Sequence, residues 1–170
     1  MPISQVRNSD AQLLGSADHG LAKDKNFVFE AYHSSSNTFT AETVLSLNVV
    51  RQNFTEELYD LTSNVLTLYQ AGVYLFNLRT SFSMSGGVAG QAAFYLQEDP
   101  ATGVFATVLA SVGYAYIPAS LNTTLQISVP LRVGSNYRYR LAAIRSSGTG
   151  NVSTVSQATT LSAILLYNNT

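Results

Sequence analysis

The run Gly72-Val-Tyr-Leu-Phe-Asn-Leu-Arg-Thr-Ser-Phe82 constrains the fold more than any other stretch of the chain. Tyr74, Phe76, Leu78 and Phe82 recur with the period of two that a β-strand imposes, and Asn77, Arg79 and Ser81 fall on the opposite side. That side is itself apolar at its start, where Val73 and Leu75 stand. The strand is therefore expected to be covered on both faces near Gly72 and exposed only toward Arg79. An antiparallel sheet needs one buried face, so something else must cover the second. The preceding residues from Leu58 read as the antiparallel partner of this strand, joined to it by a turn at Gln70-Ala71-Gly72.

Other segments repeat the pattern. Phe27 to His33 places Phe27, Phe29 and Ala31 on one face and ends at the polar run Ser34 to Asn37. Thr43 to Val50 reads as a strand, and Gln91 to Glu98 as another with Phe94 and Leu96 inward. Val104 to Ile117 is apolar throughout, with Gly113 as the expected break. Leu125, Ile127, Val129 and Leu131 alternate with Thr124, Gln126 and Ser128, and Tyr137, Tyr139 and Leu141 alternate with Arg138 and Arg140. Thr160 to Tyr167 closes the chain, and Ala163-Ile-Leu-Leu-Tyr167 is too apolar for a strand with one wet face.

Nine or ten short strands without a convincing helix imply an all-β sandwich or barrel. One domain over residues 27–170 is expected, preceded by an arm over 1–26 that is rich in Ser, Asp, Asn, Gly and Lys, with a short helix near Ala11 to Leu14. The two doubly apolar strands, Gly72 to Leu78 and Leu161 to Tyr167, would leave a contiguous apolar patch on a monomer, which soluble monomers rarely tolerate. Oligomerisation is the economical answer.

Several motifs, in order, carry a family resemblance: Tyr59-Asp60, Asn64-Val-Leu-Thr67, Ala71-Gly-Val-Tyr-Leu-Phe76, Leu131-Arg-Val-Gly134 and Leu161-Ser-Ala-Ile-Leu-Leu-Tyr167. Together they resemble the C1q-like globular domain of the C1q and tumour necrosis factor superfamily over roughly Asn26 to Tyr167. Leu66, Ser135, Leu161 and Ala163 stand where that family has an aromatic, an aspartate, a phenylalanine and a glycine, and these departures bear on ligand and calcium chemistry more than on fold. The resemblance implies a jelly-roll β-sandwich of about ten strands that assembles as a homotrimer, its inner sheet packed around a threefold axis. It assigns Val73, Tyr74, Leu75, Phe76, Ile164, Leu165, Leu166 and Tyr167 to the trimer interface or the core. The collagen-like stalk of many members, with glycine at every third residue, is missing from the arm.

Composition narrows the chemistry. There is no cysteine, which removes disulfides, thiolate metal sites and cysteine nucleophiles together. Two histidines, His19 and His33, are too far apart for the common zinc spacings. Ser16, Asp18 and His19 lie close in sequence but in an unanchored arm, so no catalytic residue is assigned. Glu98-Asp99 offers too few oxygens for calcium, and neither a metal nor a cofactor is expected. No phosphate-binding loop is present, and the acidic balance with no basic stripe disfavours nucleic acid. No segment reaches the 18 or so apolar residues of a membrane span, and the N-terminus has no apolar run of signal-peptide length. Charged residues make up only 11% of the chain, a neutral polar profile that suits an extracellular site or the surface of a virion or spore.

The leading functional reading is a non-enzymatic trimeric recognition or structural head that binds a protein or glycan through apical loops with avidity. Candidate loops are Ser83 to Gly90, Asp99 to Gly103 and Ser146 to Ser153, with Ser85, Gly86, Thr149 and Asn151 as contact residues. Competing readings are a coat or fibre head of a virus, phage or spore, and a carbohydrate-binding jelly roll stacking sugars on Tyr114 and Tyr116. Charge is divided: residues 1–99 hold all ten acids and five of the nine bases, while Arg132, Arg138, Arg140 and Arg145 follow with no acid. Arg138 and Arg140 are expected side by side, paired with a carboxylate among Glu56, Glu57 and Glu98 or else forming an anionic ligand site. Sequons stand at Asn53, Asn122, Asn151 and Asn168, in a chain whose Asn, Ser and Thr content also generates them by chance.

Overall fold

Alternating apolar positions need a second layer to bury against, and here two antiparallel sheets supply it for each other. The computed structural model describes residues 28–53 and 59–168. The arm over 1–26, Phe27, Glu56 and Glu57 lie outside the described residues. In chain order the strands are β1 (Val28–Tyr32), β2 (Thr38–Phe39), β3 (Thr43–Val44), β4 (Val49–Asn53), β5 (Tyr59–Thr62), β6 (Val65–Leu68) and β7 (Gly72–Met84). There follow β8 (Gly90–Asp99), β9 (Ala106–Thr107), β10 (Gly113–Ile117), β11 (Thr123–Val133), β12 (Tyr137–Ser147), β13 (Val152–Thr154) and β14 (Thr160–Asn168). Ten of these are four residues or longer. A 3-10 turn, Leu109–Ser111, separates β9 from β10.

The first sheet is organised on β7. One edge of β7 pairs with β11 along its length, and the other pairs with β14 at Gly72 to Arg79 and with β13 at Phe82 to Met84. Strands β1 and β4 extend the sheet beyond β14, and β2 extends it beyond β13. The second sheet runs β10-β8-β12-β6-β5, with β9 on β8 and β3 on β12.

The expected hairpin at Gln70-Ala71-Gly72 does not form. Both edges of β7 are occupied, so β6 pairs with β5 and β12 in the second sheet, and Gln70-Ala71 carries the chain between layers. The hairpin turn is Ser63-Asn64, whose φ angles of 54° and 69° suit the tight turn between β5 and β6. Thr43 to Val50, expected as one strand, is divided into β3 and the start of β4.

Tyr74, Phe76, Leu78 and Phe82 from β7 meet Phe94 and Leu96 from β8 and Tyr139 and Leu141 from β12, all fully buried. Phe76 and Tyr139 rings lie 4.7 Å apart, and Phe82 and Phe94 rings 6.1 Å apart edge to face. Each such side chain contributes about 1.5–3 kcal/mol by leaving water. At Gly113, which opens β10, a Cβ would lie 2.7 Å from Ile127 Cδ1 and 3.0 Å from Leu125 Cδ2, so a side chain there would have to push these two ends of β11 side chains aside.

Candidate functional site

On the outward face of the first sheet, side chains form rows across the strands. Leu75 stands between Pro130 and Ile164, and Val73 between Arg132 and Tyr167. In the next row Asn77 stands between Ser128 and Ser162, accepting from the Ser128 hydroxyl at 2.7 Å and donating through Nδ2 to Ser162 Oγ at 3.4 Å. Val73, Leu75 and Ile164 are half-buried, whereas Tyr74, Phe76 and Leu165 point into the core and are fully buried. A bulge between Leu165 and Tyr167 leaves Leu166 and Tyr167 exposed, the latter by 59%. The eight residues assigned together to interface or core thus divide: Tyr74, Phe76 and Leu165 are core, and the other five form an outward apolar patch. Gly72 permits this, since a Cβ would lie 2.7 Å from Leu165 Cδ1 and 2.8 Å from the Tyr167 carbonyl oxygen. Tyr74 donates its hydroxyl to the Gln70 carbonyl at 3.0 Å, and burial pushes its phenol up to about 12.

The second sheet answers the question of the arginines. Arg138 Nε donates to Asp99 Oδ2 at 2.8 Å, and its Nη2 bonds the same oxygen in an ion pair. Asp99 is fully buried and also accepts from the Thr102 N–H at 2.7 Å, the Thr102 hydroxyl at 3.0 Å and the Gly103 N–H at 3.1 Å. Burial raises its carboxyl, but Arg138 and the Thr102 and Gly103 donors outweigh this and hold it below the usual range. Arg140 Nε donates to Gln97 Oε1 at 2.7 Å, and Gln97 Nε2 in turn donates to Glu42 at 3.1 Å. Both guanidinium groups lie over Phe105, at 5.5 Å and 4.0 Å from the ring centre.

The expected partner Glu98 is therefore replaced by its neighbour. Arg138 is opposite Asp99 and Tyr139 opposite Glu98, so Glu98 projects to the other face and accepts the Tyr139 hydroxyl at 2.6 Å. Burial and the Glu98 carboxylate raise the Tyr139 phenol, and burial and Glu42, 2.6 Å from the Tyr95 hydroxyl, raise Tyr95 in the same way. Gln97, Glu42 and Phe105 are not singled out by the sequence, and Asp99 stands out there only as half of an acidic pair and the start of a candidate loop, not as the arginine's partner. The parity of Asp99 and Arg138 on facing strands was the available signal.

The three candidate loops do not share one end. Strand β8 runs from Gly90 to Asp99, which puts the Ser83 to Gly90 loop at one end of the sandwich and Asp99 to Gly103 at the other. The first of these joins the Ser146 to Ser153 loop: Ser85 N–H donates to the Asn151 carbonyl at 2.9 Å, and Asn151 N–H to Ser85 Oγ at 3.1 Å. Arg145 Nη1 donates to the Gly150 carbonyl at 2.8 Å. Ser85, Gly86, Thr149 and Asn151 are exposed, and Gly86 and Gly87 take φ of +80° and +67°. Tyr114 and Tyr116 stand on β10, an edge of the second sheet, 68% and 60% exposed. Tyr114 lines an open groove of about 500 Å³ together with Ala93, Tyr95, Leu109, Val112 and Ile144. Tyr116 lies outside it.

His33 is buried beside β1, with Nε2 3.2 Å from Ser35 Oγ and Nδ1 without a hydrogen-bond partner among the described residues. Among the described residues no three His, Cys, Asp or Glu side chains gather as a metal cluster, and no helix is long and apolar enough to cross a membrane. Asn122 and Asn151 are exposed.

No protein-family model and no curated protein sequence matches the chain. Solved structures do. The chain is similar to the Eiger tumour necrosis factor of S. frugiperda, with TM-score 0.65 and 13% identity over 85% of this chain and 94% of that one. It is also similar to the globular domain of zebrafish complement 1qA, with TM-score 0.60 and 11% identity over 84% and 98% of the two chains. The fold is the C1q/tumour necrosis factor-like jelly roll. Murine APRIL is a further similar structure, with TM-score 0.58 and 10% identity over 82% and 98%. In this jelly roll the sequence motifs take defined places. Tyr59-Asp60 opens β5, Asn64 turns into β6, Gly72 to Phe76 opens β7, Leu131 to Gly134 ends β11, and Leu161 to Tyr167 lies in β14.

Proposed function

We propose that the chain is a non-enzymatic homotrimeric head, acting in recognition or as a structural cap, at an extracellular site or on the surface of a virion or spore. The observation that carries the reading is the outward patch of Val73, Leu75, Ile164, Leu166 and Tyr167 on a sheet whose other face is already the core. Ser128, Asn77 and Ser162 beside the patch spend their hydrogen bonds on one another, which lowers the desolvation cost of covering them, whereas exposed Arg132 beside Val73 must keep water or meet a partner on the covering copy. A second copy of the chain is the cover the fold favours. Three heads joined in this way would present three copies of each loop, and weak individual contacts would add as avidity. The contacting loops are the paired Ser85–Gly86 and Thr149–Asn151 segments at one end, which vary without cost to the core.

Light scattering on the purified chain tests the assembly. A trimer mass that persists at about 1 µM is expected, because an obligate apolar interface buries on the order of 2,000 Å² or more. A stable monomer at that concentration overturns the proposal.

One observation favours carbohydrate as the ligand class: the exposed rings of Tyr114 and Tyr116, one of them lining the open groove. A coat or fibre head without a specific ligand is the remaining alternative, and a blank glycan array with an intact trimer would favour it.

A further inference from the structure

Beyond the Asn77 row, toward the Met84 end of β7, the outward face of the first sheet changes character. Arg79 stands directly between Gln126 on β11 and Thr160 on β14, and Thr160 in turn faces Tyr32 on β1. Each member of that row carries an N–H or O–H donor, and none carries a carboxylate. The neighbouring polar groups are satisfied laterally: Ser81 Oγ lies 2.6 Å from Thr124 Oγ1, and Asn77 bonds to both Ser128 and Ser162. Arg79 is exposed, and among the described residues no carboxylate pairs with it. By register the nearest acid on this face among the described residues, Glu30, lies one row away and two strands across, roughly 12 Å by strand and residue spacing.

We propose that Arg79 builds an oxyanion site that is complete only in the trimer, where guanidinium groups from three copies converge on one inorganic sulfate or phosphate ion with Gln126 and Thr160 as flanking donors. The proposal rests on the trimer reading above. In the proposed trimer, copies that cover the apolar patch would carry their Arg79 rows, two rows from Leu75 on the same face, toward the same interface and out of water. Cations gathered in this way repel, and the repulsion is stronger where water is excluded. An oxyanion reverses its sign, and the planar fork of arginine matches paired oxygen acceptors at fixed spacing. Charge complementarity thus selects the occupant: the only charge in the row is positive, and each member has a donor to turn toward an anion. Arg138 and Arg140 are spent on Asp99 and Gln97 and Arg145 bonds to backbone carbonyls, while Arg132, exposed on the same face, stands three rows away beside Val73 at the other side of the apolar patch.

The test compares the full chain with its Arg79→Gln variant by dilution, following trimer dissociation by analytical ultracentrifugation in sodium chloride, sodium sulfate and sodium phosphate at matched ionic strength. Wild type is expected to dissociate at a concentration about tenfold lower in sulfate or phosphate than in chloride, as mass action requires of an ion bound by the trimer alone. Arg79→Gln should show the same midpoint in all three salts, and in chloride should hold together at least as well as wild type. An equal sulfate effect on both proteins would mark general exclusion of sulfate from protein surface and overturn the site. Weaker assembly of Arg79→Gln in chloride would mean that Arg79 meets a carboxylate of the next copy, and would overturn it as well. A wild type that is monomeric in every salt refutes the trimer itself, whereas a trimer indifferent to the anion refutes only this inference.

Discussion

Ile164 and Leu165 are consecutive in β14, yet arginine at the two positions should have opposite consequences. Leu165 is fully buried, faces Tyr74 across the strands and holds its Cδ1 where a side chain on Gly72 would start. Leu165→Arg forfeits about 2–5 kcal/mol of transfer and packing energy. It also buries an unpaired guanidinium at a further cost of about 3–5 kcal/mol. The sum rivals the whole stability of a domain, about 5–15 kcal/mol, so unfolded or insoluble protein is expected. Ile164 points outward between Leu75 and the backbone position of Val28. There an arginine keeps its charge in water in the monomer and costs about 1 kcal/mol, since Ile164 is only half-buried. In the proposed trimer the same group would be covered. At about 3 kcal/mol per copy the penalty over three copies is about 9 kcal/mol, or more than six orders of magnitude in the assembly constant. Circular dichroism with light scattering reads both results: Ile164→Arg should give a folded monomer, and Leu165→Arg no folded protein. Soluble trimers from both variants would refute the division of β14 into one buried and one outward face.

Three further outcomes follow from single contacts. Gly72→Ala places a Cβ 2.7 Å from Leu165 Cδ1 and 2.8 Å from the Tyr167 carbonyl oxygen, and should lose about 1–3 kcal/mol in a urea melt; an unchanged midpoint would mean that the two strands are not so close. Asp99 has a carboxyl held below its ordinary value of 3.8 in the fold, so its contribution is complete above that value and is lost as pH falls through the folded one. Urea midpoints measured from about pH 5 down to about pH 2 should therefore fall less steeply for Asp99→Asn than for wild type, and parallel curves would deny the Arg138 pair this role. Tyr114→Ala with Tyr116→Ala should leave the melting temperature and the trimer unchanged, both rings being exposed, while abolishing any glycan-array signal of the wild type. Retained binding would move the ligand surface elsewhere.

Alternation is local, and it was legible. Tyr74, Phe76, Leu78 and Phe82 on β7, Phe94 and Leu96 on β8, and Tyr139 and Leu141 on β12 could be assigned to the core because a strand turns each side chain by half a revolution regardless of its neighbours. The excess of apolar residues at Val73, Leu75 and Ile164 was visible for the same reason. Pairing is a different matter. Nearness in sequence made β6 the apparent partner of β7, but β11 and β14 occupy both hydrogen-bonding edges of β7, and β6 joins the other layer.

The candidate site shows the same division. The sequence by itself determined that Arg138 and Arg140 share a face and need a partner from the acidic first half of the chain, because charge and parity are properties of residue order. Only the tertiary structure decided that the partner is Asp99 rather than Glu98, that Phe105 lies beneath both guanidiniums, and that a bulge after Leu165 turns Leu166 and Tyr167 outward. It also decided that two candidate loops meet at one end while the third lies at the opposite end. One residue of register exchanges the two faces of a strand, and register is set by hydrogen bonds between segments far apart in the chain, which no local pattern encodes.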